Sequence, residues 1–211
     1  MKQAVMYGGG NIGRGFIGAL LSQSGYRVTF IDVAEPVIKA LQENKKYPIR
    51  IVSTEGYEDV WVENVTAVNG NLPEAVDAIS NCDIMATAVG ARILKFIVPN
   101  IVAGLRKRWE MNKGPLNIII CENLNDANKI LEGMLKEQLT EEECKKFDET
   151  VFAGTAPGSG FDVLTNCTAV NIESTANSMT VYKNRPSRTT VSALIFQPFS
   201  ETYCRSMGVL D

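Results

Sequence analysis

Gly8, Gly10 and Gly13 stand at the spacing G-x-G-x-x-G, directly after the apolar run Val5-Met6-Tyr7. Where such a spacing follows a strand and opens a helix, it can seat a pyrophosphate. Each glycine has its own task. Gly8 makes the tight turn, Gly10 lets the backbone approach the anion, and Gly13 lets helix and strand pack closely. The anion would rest on the helix N-terminus, where amides without helical partners and the helix dipole favour negative charge. Gly9, Asn11, Ile12, Arg14 and Gly15 complete this candidate loop.

Asp32 extends the same chemistry. Tyr26 to Ile31 is a second apolar run, and Asp32 ends it, 24 positions after Gly8. An acidic residue at about that distance accepts from a ribose 2′-OH. Its charge repels a 2′-phosphate, and no arginine directly follows it. The expected cofactor is therefore NAD rather than NADP. The competing role for Asp32 is structural, a cap on the helix that begins near Pro36.

These residues need a sheet and helices to hold them. The helix after the glycine turn would turn Phe16, Ile17, Leu20 and Leu21 inward. Glu35 to Asn44 reads as a helix, with Val37, Ile38 and Leu41 on one side. Tyr47 to Val52 and Val60 to Val65 read as strands around a turn at Thr54-Glu55-Gly56, an antiparallel hairpin set into a parallel core. A short helix starts near Pro73. Cys82 to Gly90 is the next buried strand with its exit turn. Thr87, Val89 and Gly90 then either line the nicotinamide side of a cleft or form a packing turn with a glycine exit. Ile93 to Arg108 is an amphipathic helix ending in Arg106-Lys107-Arg108, cations that offset a helix dipole. Leu116 to Ile120 is a fully apolar strand ending in Cys121-Glu122-Asn123, whose polar groups point at the same cleft. A long helical stretch runs from about Ala127 to Phe147. The expected fold is α/β: a doubly wound, mostly parallel Rossmann sheet with a small antiparallel insertion and an irregular C-terminal tail.

The run 8–18, Gly-Gly-Gly-Asn-Ile-Gly-Arg-Gly-Phe-Ile-Gly, resembles the signature of bacterial mannitol-1-phosphate 5-dehydrogenases, which are long-chain polyol dehydrogenases. The resemblance continues through Phe30-Ile31-Asp32-Val33, Thr87-Ala88-Val89-Gly90 and Pro115 to Asn123. It departs at Gly9, where alanine is usual. It implies that Gly8 to Gly15 and Asp32 bind NAD, that Thr87, Val89, Gly90, Glu122 and Asn123 line the cleft, and that the substrate is a polyol phosphate.

The resemblance covers residues 1–150, the expected NAD-binding domain. Beyond Thr150 such a family would continue into a helical domain carrying a catalytic Lys and an Asn-x-x-His motif, and 151–211 does not match it. Composition shifts at the same place. Ser and Thr number 10 in residues 1–150 and 15 in 151–211, while Asp, Glu, Lys and Arg fall from 37 of 150 to 8 of 61. We expect an out-of-frame or recombined tail, or a disordered one, with a natural short form adding strands as the rival. Gly154, Gly158, Ser159 and Gly160 lack the Lys-Ser/Thr that completes a phosphate loop and read as a linker.

Composition narrows the functions further. The chain has no histidine, which excludes a catalytic imidazole or a His-ligated metal within these 211 residues. Lys95, Lys129 and Lys136 fall in helices and read as surface groups. A net charge of -3 argues against nucleic-acid binding by general electrostatics. No apolar run reaches membrane-spanning length, no leader precedes the first strand, and five cysteines without C-x-x-C spacing read as reduced thiols. Those features point to the cytoplasm. Two functions follow: a dehydrogenase of the mannitol-1-phosphate type lacking its catalytic groups, or a non-enzymatic NAD-binding module. A sugar-acid dehydrogenase is the weaker third.

Overall fold

Runs of β-branched residues alternate with amphipathic segments and set the order of the elements. The computed structural model describes residues 1–53, 56–122, 124, 126–154, 172–174 and 179–182. Strand β1 (Gln3–Tyr7) leads through the glycine turn into a π-helical turn (Gly13–Ile17) and helix α1 (Gly18–Gln23). There follow β2 (Arg27–Asp32), α2 (Glu35–Asn44), the hairpin β3 (Lys46–Ser53) and β4 (Gly56–Glu63), and β5 (Val65–Asn69). Next come α3 (Pro73–Asn81), β6 (Ile84–Thr87), α4 (Leu94–Glu110) and β7 (Leu116–Ile120). The described residues end with α5 (Ala127–Lys136), α6 (Glu141–Thr150), β8 (Val151–Gly154), β9 (Ile172–Ser174) and β10 (Met179–Tyr182).

Six strands form one sheet in the order β5-β2-β1-β6-β7-β8, and every pairing is parallel. Counted along the chain within that sheet, this is the doubly wound Rossmann order, 3-2-1-4-5-6. The winding reverses between β1 and β6, and sheets of this kind take their ligands outside the strand carboxyl ends at that point. Tyr7 is in register with both Ile31 and Thr87, so the glycine turn and the Thr87–Gly90 turn leave the sheet at one level.

Alternation along each strand builds two cores. Met6, Phe30, Leu20, Ile38 and Leu41 lie on one face with Tyr47, Ile49 and Val62 of the hairpin. Val5, Ile31, Ile79, Leu94, Ile101, Leu116 and Leu131 lie on the other. Burying one such side chain stabilises the fold by about 1.5–3 kcal/mol. Each core also holds a free thiol, Cys121 in the first and Cys82 in the second. Burial pushes the Cys82 thiol up to about 12 and raises that of Cys121 as well.

The parallel sheet and the hairpin agree with the sequence expectation, and four details differ. The Val60 to Val65 run is not one strand. Asn64 adopts a left-handed φ of 57° and ends β4, and Val65 begins β5, which pairs with β2 at the edge of the main sheet. The 127–147 stretch is two helices. Thr140 starts the second with a capping box, its Oγ1 accepting from the Glu143 amide at 3.2 Å while its own amide donates to Glu143 Oε2 at 2.9 Å. Arg108 does more than face a helix end. It is 5% exposed, and it donates to the carbonyls of Ser80, Cys82, Gly114 and Pro115. Finally, Val151–Gly154 pairs with β7 as a sixth parallel strand.

The hairpin belongs to a second sheet in the order β4-β3-β10-β9. There β3 pairs antiparallel with β4 and parallel with β10. Gly158, Ser159 and Gly160 lie outside the described residues. Among the described residues, no helix is long and apolar enough to cross a membrane.

Candidate cofactor site

The site begins where β1 ends. The Gly8 amide donates to Ile31 O at 2.8 Å, and the Ala88 amide donates to Tyr7 O at 2.8 Å, which draws the turn in between β2 and β6. Gly8 has φ +104°, and a Cβ there would lie 2.4 Å from Ala88 O. A Cβ on Gly13 would lie 1.8 Å from Gly8 O. The protein's own packing therefore demands glycine at both positions. At Gly10 a Cβ would meet nothing within 4 Å, so the protein's own atoms set no such demand there. Gly10 and Asn11 are exposed, Ile12 is half-buried, and Gly9, Gly13, Arg14 and Gly15 are buried.

Asp32 faces this turn. Its Oδ2 accepts from the Gly9 amide at 2.5 Å, and its Oδ1 accepts from the amides of Val33 at 2.7 Å and Ala34 at 2.9 Å. The Oδ1 bonds fold the link between β2 and α2; they do not cap α2, whose first turn has no side-chain cap. Arg14 is 2% exposed, and its Nε donates to Gly9 O at 2.6 Å. Burial lowers the Arg14 pKa, while Tyr47 and Asp32 act in the opposite sense.

The second wall is the exit of β6. Glu122 is 3% exposed, its Oε1 accepting from the Val89 amide at 2.9 Å and its Oε2 from the Gly90 amide at 2.8 Å. Its carboxylate thus holds the turn after β6. The Thr87 side chain is fully buried, and its Oγ1 has no hydrogen-bond partner among the described residues. Asn123, the remaining site residue expected from sequence, lies outside the described residues.

These groups meet at the winding reversal of the sheet. A family model described as the mannitol dehydrogenase Rossmann domain matches residues 2–175. The chain belongs to the mannitol dehydrogenase family. Mannitol-1-phosphate 5-dehydrogenase of Aspergillus niger is 37% identical over 174 residues, covering 77% of this chain and 44% of that protein. The protein of the same name from Geobacillus thermodenitrificans is 40% identical over 153 residues, covering 69% and 40%. The chain thus spans less than half the length of these mannitol dehydrogenase relatives. Among solved structures, substrate-free D-sorbitol dehydrogenase superposes with a TM-score of 0.61 at 13% identity, covering 85% of this chain and 48% of that one. Octopine dehydrogenase gives 0.55 at 15% identity, covering 86% and 39%. At those identities the likeness is one of fold. The match of this mannitol dehydrogenase Rossmann domain runs past Thr150 and across β8 and β9.

Two residues near the site, Tyr47 and Asn100, were not singled out as site residues in the sequence. Tyr47 of β3 donates its hydroxyl to Arg14 O at 2.6 Å. Asn100 of α4 donates from Nδ2 to the Tyr7 hydroxyl at 3.0 Å and to Gly70 O at 2.6 Å. At the opposite end of the sheet, Arg108, read in the sequence only as a dipole cation, fastens the start of β6 to that of β7 through its carbonyl contacts. Alternation with Ile49 and Ile51 could have placed Tyr47 inward, but no local signal names its partner.

Proposed function

We propose that this chain is the NAD-binding part of a polyol-phosphate dehydrogenase, of the type that interconverts mannitol 1-phosphate and fructose 6-phosphate. The observation that carries the reading is the difference among the three glycines. Gly8 and Gly13 are closed off by the protein itself, whereas Gly10, next in the chain to the Gly9 that the Asp32 carboxylate holds, borders open space. That is what a dinucleotide site of this class requires. Gly8 to Gly15 would hold the pyrophosphate, and Asp32 the adenosine ribose. Asp32 Oδ1 is filled by two amides, while Oδ2 accepts one and retains a lone pair for a hydroxyl. The carboxylate selects NAD against NADP. Thr87, Val89, Gly90, Glu122 and Asn123 form the opposite wall, with Glu122 acting through the backbone it holds.

The nicotinamide supplies hydride transfer to or from the carbon that bears the hydroxyl. This chain's own part is to bind and orient the dinucleotide. It contributes no histidine, and of the three candidate lysines, Lys95 lies over the Phe96 ring, Lys129 pairs with Asp126, and Lys136 pairs with Glu132 and Asp148. Binding without turnover is therefore its expected behaviour alone, which also describes a non-enzymatic NAD-binding module.

Fluorescence titration with NADH and NADPH, followed by an assay of NADH formation from NAD and mannitol 1-phosphate, tests both parts. NADH binding in preference to NADPH, with no turnover, is expected. Failure to bind either nucleotide would overturn the cofactor reading. Turnover would overturn the assignment of the acid–base groups to residues outside this chain.

A further inference from the structure

The π turn shifts one backbone carbonyl out of helical register. The Gly18 amide donates to Gly13 O, five residues back, whereas an α-helix would send it to Arg14 O. The Arg14 carbonyl accepts instead from the Tyr47 hydroxyl at 2.6 Å. Tyr47 comes from β3, 33 residues further along the chain, and it is 1% exposed. Its ring stands edge-on to Phe30 of β2, with centroids 6.1 Å apart and planes at 68°. Phe30 in turn packs where a Cβ on Gly18 would lie, its Cζ 2.4 Å from that point. The ring that carries the hydroxyl is therefore buried and packed against Phe30, which is itself fixed against Gly18.

Arg14 works in the other direction too. Its amide donates to Gly10 O at 3.0 Å and its Nε to Gly9 O at 2.6 Å. In a trans peptide the N–H points opposite to the preceding carbonyl. With the Gly9 and Gly10 carbonyls turned toward Arg14, the Gly10 and Asn11 amides are directed away from it.

We infer that Tyr47 is a positioning residue for the phosphate turn: through the Arg14 carbonyl, its hydroxyl fixes the direction in which the Gly10 and Asn11 amides meet a dinucleotide pyrophosphate. The inference rests on the NAD-binding reading above. It makes the β3–β4 hairpin part of the cofactor site without touching the cofactor.

The test is Tyr47→Phe, which keeps the ring and its packing on Phe30 and deletes only the hydroxyl. NADH binding is followed by fluorescence, and ADP-ribose and adenosine are measured by competition. ADP-ribose and NADH are expected to bind about fivefold to twentyfold more weakly to the variant, the effect of one lost hydrogen bond. Adenosine, which meets Asp32 but not the turn, is expected to stay within about twofold. An unchanged ADP-ribose affinity overturns the inference, and so does an equal loss for ADP-ribose and adenosine. If the unaltered chain binds no NADH, it is the NAD reading that fails. Should the variant not fold, hydrogen exchange on the unaltered chain decides. ADP-ribose is expected to slow exchange at the Tyr47 and Ile49 amides together with those of Arg14 to Gly18. Protection confined to the turn overturns the inference.

Discussion

The Gly9 amide donates to Asp32 Oδ2 at 2.5 Å, so the carboxylate that ends β2 is fastened to the middle of the glycine turn. One side chain thus ties the end of β2 to the turn that follows β1. Asp32→Asn keeps the size of the side chain, removes its charge and replaces one acceptor oxygen with an NH₂ donor. NADH affinity is expected to fall about tenfold to a hundredfold, because hydrogen bonds to a charged group contribute about 1.5–3 kcal/mol. Titration at constant ionic strength measures it, and an affinity equal to that of the unaltered chain would refute the role of Asp32.

The glycines separate stability from binding. A side chain at Gly13 would collide with the Gly8 carbonyl, whereas one at Gly10 would enter open space. Gly13→Ala is expected to cost about 1–3 kcal/mol of stability, as overpacking does. Gly10→Val is expected to leave the urea midpoint almost unchanged while NADH binding drops at least about tenfold, since the branched side chain fills the space the anion needs. Paired urea melts and NADH titrations check this. A Gly10 variant that binds normally would contradict the pyrophosphate assignment.

Glu122 holds two amides on the opposite wall at 2.9 and 2.8 Å while almost fully buried. Glu122→Ala leaves both donors without their acceptor, at a cost of about 1–3 kcal/mol for each donor that water does not reach. Glu122→Gln retains one acceptor oxygen and is expected to lose less. The ordering Ala below Gln below the unaltered chain, read from urea midpoints, is the outcome to look for. Equal midpoints for all three would show that the turn after β6 does not depend on this carboxylate.

Acid weakens a different joint. Arg106 and the Thr140 amide draw the Glu143 carboxyl down from its ordinary 4.5 to about 2. A folded pKa below the unfolded one means that the stabilisation is present above about pH 4.5 and disappears as pH falls toward about 2. The Arg106–Glu143 pair is solvent-screened, so its share is about 1 kcal/mol or less. Urea midpoints measured from pH 6 down to about pH 2.5 are expected to fall more steeply for the unaltered chain than for Glu143→Gln. Parallel curves would remove this pair from the account.

Much of this architecture was legible in the residues because local chemistry decided it. The glycine spacing, the acidic end of β2 and the helix Glu35–Asn44 each follow from neighbours close in sequence. The T-x-x-E box at Thr140–Glu143 was equally local, yet the helical periodicity on either side of it concealed the break. What could not be read was decided at long range. Val65–Asn69 becomes a sheet edge because β2 is there to pair with it, and β8 because β7 is. Glu122 faces the expected cleft by position, but its carboxylate is taken by amides 32 and 33 residues earlier in the chain. Tyr47 and Arg108 show the same limit, since their partners are backbone carbonyls brought near only by the fold.

The two thiols, one beneath each side of the central sheet, give the molecule a built-in pair of reporters. Only a thiolate reacts with an alkylating reagent, and burial keeps Cys82 and Cys121 protonated and out of reach. Among the thiols of the described residues, timed labelling with iodoacetamide in mild urea, read by peptide mass spectrometry, is expected to modify the half-buried Cys144 first and then to register separately when either side of the sheet opens.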